Sequence, residues 1–188
     1  MTANDTQCGS TTAFRSGEET VHVVLVADDP PVTNEVADAL GDGYVVRTAH
    51  TRGELLSALD REVSAVLVNP ALADAGAVLE RLGTDADCRV AALVDDREPV
   101  GERFDDAVHK PLSRSTLRAT VDRLCRCVAY SDGLDRYFDL ARTLASLAED
   151  DPQRDRLADR LDALEAELDE TATPLDSDDV YDAALRGR

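Results

Sequence analysis

The fold of this chain is decided by the stretch Ser64-Ala65-Val66-Leu67-Val68-Asn69-Pro70, an apolar run that stops at a polar residue. Two other apolar runs end in the same way, because Val21–Ala27 is followed by two Asp residues and Ala107–His109 by Lys-Pro. Strands buried on both faces have such continuous apolar sequences, and open parallel sheets carry their sites at the carboxyl ends of the strands. We therefore expect the polar residues after the three runs to meet at one edge of a sheet: Asp28, Asp29, Asn69 and Lys110.

Strands and helices alternate along the first two thirds of the chain. Further strands are predicted at 44–48 and 88–94, and helices at about 30–40, 51–59, 74–82 and 113–128. Thr51 and Glu54 fit a capping box that opens the second of these helices. Only about eleven residues separate the fourth and fifth strands, fewer than a full crossover helix needs. The order predicts an α/β fold, a doubly wound five-stranded parallel sheet with a shortened connection between its fourth and fifth strands.

The residues after 128 predict a separate helical unit. One helix is predicted to begin at Ser131, and another follows Asp151-Pro152 with leucines spaced by four, three and four residues. The two helices are expected to form an antiparallel hairpin. The predicted organisation is a disordered segment at 1–20, the sheet domain at 21–128, the helical domain at 129–170 and a flexible tail at 171–188.

The composition is strongly acidic. The net charge is −19, with 39 Asp and Glu against 20 Lys and Arg, and Lys110 is the only Lys. A surface so depleted in Lys is typical of the proteins of salt-accumulating halophiles, and it disfavours broad electrostatic capture of nucleic acid. No run approaches the roughly 18 apolar residues of a membrane span, and no signal peptide is evident, so a cytoplasmic protein is expected.

The polar residues at the sheet edge resemble the pocket of receiver domains in two-component response regulators. The resemblance implies an acidic pair that holds Mg²⁺, here Asp28 and Asp29, and a pocket lysine, here Lys110. The phosphate-accepting Asp is replaced by Asn69, and an amide is not a usable nucleophile. Two switch positions are degenerate as well, because Val94 replaces a hydroxyl residue and Ala107, or else Val108, occupies the position of an aromatic residue.

The residues kept in this pocket allow more than one interpretation. The acidic pair either binds Mg²⁺ weakly or is only a solvated strand end that caps the next helix. Lys110 forms a structural ion pair with Asp28 or Asp29, or binds an anion. Asp74 is a poor candidate for a substitute acceptor, because its predicted place in a helix is away from the pocket.

The C-terminal part resembles the HalX domain of haloarchaeal receiver proteins. The resemblance rests on 130–141, Tyr-Ser-Asp-Gly-Leu-Asp-Arg-Tyr-Phe-Asp-Leu-Ala, and on the leucine-spaced helix that follows. Phe104-Asp105-Asp106 and 113–117 are similar to the same family, so the combined resemblance covers about 21–170.

These observations predict an atypical response regulator that is not an enzyme, requires no cofactor and acts by protein–protein contact. Its expected partner is a histidine kinase or another signalling protein, or a second copy of the chain. The candidate contact surfaces are the apolar stripes of two helices: Leu117, Val121, Leu124 and Val128, and Leu157, Leu161, Leu164 and Leu168. The alternative, which the sequence favours, is that these stripes pack the helices against each other or against the sheet domain. The alternative is a phosphorelay or transcriptional regulator that binds DNA or a partner through the HalX-like helices. Its candidate phosphate contacts are Arg114, Arg118, Arg123 and Arg126.

Overall fold

The computed structural model describes residues 22–73, 88–95 and 104–186. Within these ranges the chain forms a five-stranded, all-parallel sheet with the strand order β2-β1-β3-β4-β5. The strands are β1 (Val23–Ala27), β2 (Val45–Ala49), β3 (Val63–Val68), β4 (Arg89–Asp95) and β5 (Asp106–Lys110). The predicted doubly wound sheet is therefore confirmed.

Helices flank this sheet and extend beyond it. They are α1 (Pro30–Leu40), α2 (Arg52–Ala58), α3 (Pro70–Ala73), α4 (Arg114–Ser146), α5 (Arg154–Ala172) and α6 (Ser177–Arg186). α3 begins directly after Asn69, whereas the sequence predicts a helix only from Asp74 onward. Residues 74–82 of that prediction, and most of the connection between β4 and β5, lie outside the described residues.

The sheet buries an aliphatic cluster on each face, as expected for strands covered by helices on both sides. One cluster joins the sheet to α1 and α4 through residues such as Val26, Leu67 and Leu117. The other joins it to α2 through residues such as Leu25, Val66 and Leu55. α1 ends at Gly41, whose φ of 61° is in the left-handed region that glycine adopts without a Cβ clash.

The start of α2 confirms one half of the predicted capping box. The Glu54 N–H donates to Thr51 Oγ1 over 3.2 Å. The Glu54 carboxylate accepts instead from the backbone N–H of His50 over 2.7 Å, one residue before the N-cap. The second hydrogen bond of the capping box thus comes from the N–H of His50 and not from that of the N-cap residue Thr51. This hydrogen bond ties the end of β2 to the start of α2.

α4 is continuous over 33 residues, so the prediction of a new helix at Ser131 is wrong. Ser131 does not cap a helix, because its Oγ donates to the backbone oxygen of Ala183 in α6 over 3.1 Å. Gly133 lies under α5, where an added Cβ would come within 2.7 Å of Leu168 Cδ2. Residues that suggest a helix boundary in the sequence therefore mark places where two later helices pack.

The predicted antiparallel hairpin is present, formed by the second half of α4 and α5. Gly133 faces Leu168 near the base, and Arg154 Nη1 donates to Leu144 O and Leu147 O at the tip, over 3.2 Å and 3.4 Å. These two hydrogen bonds satisfy carbonyl groups at the C-terminal end of α4.

The apolar stripes proposed as dimer surfaces are covered within the chain. The stripe of α4 is buried, and Leu117, Val121 and Leu124 belong to the core beneath the sheet. On α5, Leu164 and Leu168 are buried. Leu157 and Leu161 are half-buried. Packing within the chain, the alternative that the sequence left open, therefore accounts for most of both stripes, and a dimer or partner contact through them stays a prediction.

Within the predicted tail at 171–188, residues 177–186 form α6 (Ser177–Arg186), which packs on α4. Asp176 caps this helix, because its Oδ1 accepts from the N–H groups of Asp178 and Asp179 over 3.0 Å and 2.9 Å. Ala183 is fully buried at the contact. Among the described residues, no helix combines the length and the apolar character that crossing a membrane requires.

Candidate functional site

The strand register brings the three polar strand ends together. β1 lies between β2 and β3, with Ala27 opposite Val68, and the Asn69 N–H donates to Ala27 O over 2.8 Å. β5 lies at the far edge of the sheet, with Lys110 opposite Asp95. The long side chain of Lys110 crosses from there to β1, and the predicted convergence at one sheet edge is observed.

Asp28 is the centre of this pocket. Its side chain is 1% exposed, and the Lys110 ammonium lies 2.7 Å from Oδ2. Its Oδ1 accepts from Asn69 Nδ2 over 3.1 Å and from the backbone N–H of Asp29 over 2.7 Å. Both carboxylate oxygens are therefore paired, which compensates the cost of burying the charge.

Asn69 bridges the pocket and the following helix. Its Nδ2 faces Asp28, and its Oδ1 accepts from the backbone N–H of Ala71 over 2.9 Å. A carboxylate can only accept hydrogen bonds, so the amide nitrogen is the atom that fits against Asp28. An Asp at position 69 would instead place two carboxylates side by side.

Asp29 and His50 lie at the rim. Asp29 is exposed and occupies the N-cap position of α1, where its carbonyl oxygen accepts from the N–H groups of Val32 and Thr33. His50 Nδ1 lies 3.0 Å from Asp28 O, so a proton on Nδ1 makes a hydrogen bond to the pocket backbone. His50 was not among the predicted site residues, although its position directly after β2 places it at the same sheet edge.

The two predicted switch positions carry aliphatic side chains. Val94 is buried next to His109 of β5, and Ala107 lies opposite Ala92 of β4. Neither side chain has a hydrogen-bond donor. The Lys110–Pro111 peptide bond after β5 is cis.

The donor set does not fit a dedicated Mg²⁺ site. Mg²⁺ requires near-octahedral oxygen ligands, whereas both oxygens of Asp28 are already paired and the Asn69 oxygen is turned towards Ala71. Within 22–73, 88–95 and 104–186, no group of three or more His, Cys, Asp or Glu residues could hold a metal ion. Weak cation binding by Asp28 and Asp29 stays a prediction, which this geometry does not favour.

Three of the four arginines considered for phosphate contacts bind the chain itself. Arg114 Nε donates to Ala39 O over 3.1 Å, and Arg118 Nη2 donates to Leu40 O. Both satisfy carbonyl groups at the C-terminal end of α1. Arg123 pairs with Asp106 and Asp179, and Arg126 is exposed.

A second ionic cluster lies at the opposite end of the sheet from the pocket. Arg89, at the start of β4, pairs with Asp105 over 3.0 Å, and both side chains are buried. Asp105 Oδ2 also accepts from the Val90 N–H over 2.7 Å, and Arg123 Nη2 donates to Asp105 O over 3.4 Å. This cluster was not predicted from the sequence, because Arg89 lies within the predicted strand at 88–94 and nothing there indicates its partner.

No protein-family model matches this chain. A protein from Haloferax volcanii, described as a "Putative transcriptional regulator", is 31% identical over 177 residues. The match covers 88% of this chain and 29% of the relative, so this chain spans less than a third of the relative's length.

Solved structures show a similar fold. NtrX from Brucella abortus, in complex with ADP, has a TM-score of 0.56 at 22% identity, and the match covers 74% of this chain and 34% of the NtrX chain. The signal receiver domain of an HD domain-containing protein from Pseudomonas fluorescens Pf-5 has a TM-score of 0.54 at 17% identity. That match covers 63% of this chain and 95% of the receiver-domain chain. This chain has the fold of a receiver domain. The receiver-type fold implied by the sheet-edge residues is thus confirmed, whereas the HalX resemblance and the loss of phosphate acceptance stay predictions.

Proposed function

We propose that this chain is a regulatory protein whose receiver-like domain works without accepting a phosphoryl group in its own pocket. The observation that carries the proposal is the contact between Asn69 Nδ2 and Asp28 Oδ1. Phosphoryl transfer to a receiver needs a carboxylate oxygen that attacks phosphorus in line, with a metal ion to neutralise the phosphoryl charge. At position 69 the chain instead has an amide, which already donates to Asp28 and accepts from the N–H of Ala71.

The ion pair beneath Asn69 supports the same proposal. Lys110 is committed to Asp28, so neither charge is free to bind a phosphoryl group or a metal ion without breaking a buried contact. Val94 and Ala107 supply neither the hydroxyl nor the aromatic ring through which a receiver is expected to report phosphorylation. The pocket is then a fixed structural element and not a switch.

In this proposal the domain acts by protein–protein contact in the cytoplasm and is not an enzyme. The partner would be a histidine kinase or another signalling protein, or a second copy of the chain. The helical hairpin of α4 and α5 offers surfaces for such contacts that do not depend on the pocket. No cofactor is required for this role.

The test is the intact mass of the full chain after incubation with Mg²⁺ and a small phosphodonor in high salt. A functional receiver domain treated in parallel shows that the donor is active. We expect no gain of mass for this chain. A gain of one phosphoryl group, removed by hydroxylamine and absent in the Asp28→Asn variant, would overturn the proposal.

A second candidate is a role in transcription, which the description of the Haloferax volcanii relative favours. It would use the HalX-like helices to bind DNA or a partner protein. The charge distribution argues against DNA, because Arg114, Arg118 and Arg123 bind groups within the chain. Fluorescence anisotropy with duplex DNA over a series of salt concentrations tests it. An affinity for DNA that falls steeply as the salt concentration rises would favour this candidate, provided that the fall is less steep for the Arg126→Gln variant.

A further inference from the structure

α6 packs on α4 through both polar and apolar contacts. Arg123 bridges the two helices and β5, because its guanidinium pairs with Asp179 and lies 2.7 Å from Asp106 Oδ2. One turn further along α6, Ala183 is fully buried and its carbonyl oxygen accepts from Ser131 Oγ over 3.1 Å. The docking thus includes one shared guanidinium, one small buried side chain and one hydroxyl.

Several features make this docking weak. α6 has ten residues, fewer than an isolated helix needs to be stable in water. Its two largest apolar side chains face solvent, with Tyr181 65% and Leu185 54% exposed. Asp179 Oδ2 is buried without a hydrogen-bond partner among the described residues, which costs free energy. Arg123 is about one third exposed, so salt screens its attraction for Asp179.

The surface beneath α6 is a distinct face of α4. Arg123, Cys127 and Ser131 are spaced by four residues and therefore lie in one row along the helix. Cys127 is buried, and this burial, followed by the negative charge of Asp179, raises the pKa of its thiol to about 11. We call the row of Arg123, Cys127 and Ser131 the α6 seat. It is separate from the stripe that α4 turns towards the sheet.

We propose that the α6 seat is a docking site for an acidic helix, filled within the chain by α6 and open to a partner helix when α6 leaves. The occupant that the seat accepts is defined by α6 itself: an acid against Arg123, and a small residue four positions later beside Ser131. A larger side chain at the second position would not fit, because Ala183 has no exposed surface. Electrostatic complementarity selects an acid, since the side chain of Arg123 provides a positive charge there.

The inference deepens the proposed function, because it names a surface through which a receiver-like domain without a phosphate switch could regulate a partner. A helix that binds its seat weakly within the chain is displaced by a partner helix that binds more tightly or is more concentrated. Displacement exposes the α6 seat on α4 to that partner. The pocket plays no part in this exchange. A failed exchange would therefore leave the mass measurement on the pocket unaffected, and the two proposals can fail separately.

The first experiment undocks α6 in the full chain. Ala183→Trp places a large side chain at the buried contact, and Leu185→Trp adds the same residue at an exposed position of the same helix. Both are made in a Cys8→Ser background, and alkylation of Cys127 is followed by peptide mass. We expect Cys127 in Ala183→Trp to react at least about tenfold faster than in the parent and in Leu185→Trp. Equal rates in all three proteins would overturn the proposal.

The second experiment fills the seat in trans. A fluorescent peptide of residues 174–188 is titrated into the full-length Ala183→Trp variant and into the parent chain, with anisotropy as the readout. We expect the peptide to bind the variant at least about tenfold more tightly, because α6 competes only in the parent. A control peptide that itself carries Ala183→Trp should not bind. Equal binding of both peptides, or no binding to a variant whose Cys127 is reactive, would overturn the proposal.

Discussion

Asn69 donates a hydrogen bond from its side-chain amide to Oδ1 of Asp28 over 3.1 Å, while Lys110 holds Oδ2 of the same carboxylate over 2.7 Å. The three residues come from the ends of three different strands. They form a neutralised, hydrogen-bonded pocket in which the one buried carboxylate has a partner on each oxygen.

Asn69→Asp is expected to destabilise the protein at neutral pH. The new carboxylate would face Asp28 Oδ1 in place of an amide donor, and one ammonium would have to serve both charges. We expect a loss of about 1–3 kcal/mol in the free energy of unfolding, measured by denaturant titration at pH 7. The loss should shrink as the pH falls and one of the two carboxyl groups binds a proton. Stability equal to that of the parent at pH 7 would contradict the pocket geometry.

The same variant should not regain a phosphorylation-dependent change of structure. Val94 and Ala107 remain aliphatic, so a phosphoryl group would find no hydroxyl donor and no aromatic side chain to move. Hydrogen exchange of β4, β5 and α4, with and without a phosphodonor, measures this. A donor-dependent change confined to these elements would contradict the prediction.

Lys110→Met is expected to cost about 3–5 kcal/mol, because it leaves the buried Asp28 carboxylate without its cation. The 21% exposure of Lys110 admits some water and favours the lower end of that range. Asp28→Asn combined with Lys110→Met should be closer to the parent than Lys110→Met alone, since neither charge then remains unpaired. A double-mutant cycle from thermal or denaturant unfolding gives the coupling. Additive effects of the two substitutions would show that the ion pair contributes nothing.

Mg²⁺ is expected to leave the thermal stability unchanged beyond the effect of ionic strength. A ligand that binds only the folded state raises the free energy of unfolding by RT ln(1 + [L]/Kd), where [L] is its free concentration. The measurement is the unfolding temperature in a Mg²⁺ titration against a salt series of equal ionic strength. A rise above the salt series that disappears in Asp28→Asn would instead establish the weak cation site.

Arg118→Gln is expected to destabilise α1 and the fold, because Arg118 donates to Leu40 O at the end of that helix. The expected cost is about 1.5–3 kcal/mol, the range for a hydrogen bond that involves a charged group. Arg126→Gln is the matched control on the same helix, since its side chain is exposed and its loss should be within about 0.5 kcal/mol. Equal costs for the two variants would show that Arg118 has no special structural role.

His22 should make stability fall as the pH decreases below neutrality. Desolvation lowers the pKa of its half-buried ring, and the charge of Asp122 opposes this shift in part. A base whose folded pKa is below its unfolded value binds protons more weakly when folded. Its contribution is therefore present above the unfolded pKa and is lost as the pH falls towards the folded pKa. His22→Gln should lose less stability than the parent between pH 7.5 and pH 5.5, whereas equal losses would contradict the shift.

Much of the fold was predictable because it follows from local patterns. Short apolar runs such as 65–68, bounded by polar residues, indicate strands buried on both faces, and their alternation with helical segments implies parallel pairing. The polar residues that end the runs then have to share an edge. The pairing of Lys110 with an acid was one of the interpretations that the sequence left open.

Other features depended on contacts between residues far apart in the chain. A helix start at Ser131 was a reasonable prediction, because serine is one of the residues preferred at the N-cap of a helix. It was wrong because Ser131 bonds with Ala183, 52 residues later, and because Leu168 fills the space beside Gly133. The tail at 177–186 is polar enough to suggest disorder, yet it is ordered against Arg123 and Ser131.

The sequence by itself determined the strands, their polar ends and the identity of the side chain at the acceptor position. Only the tertiary structure decided which acid Lys110 pairs with. Consecutive side chains at the end of a strand point in different directions, so Asp28 enters the pocket while Asp29 stays in solvent. The tertiary structure also set the orientation of Asn69, because its amide nitrogen faces a carboxylate that comes from another strand. The partner of Lys110 and the orientation of the Asn69 amide depend on residues that the sheet brings together from distant parts of the chain. A local sequence pattern therefore cannot predict them.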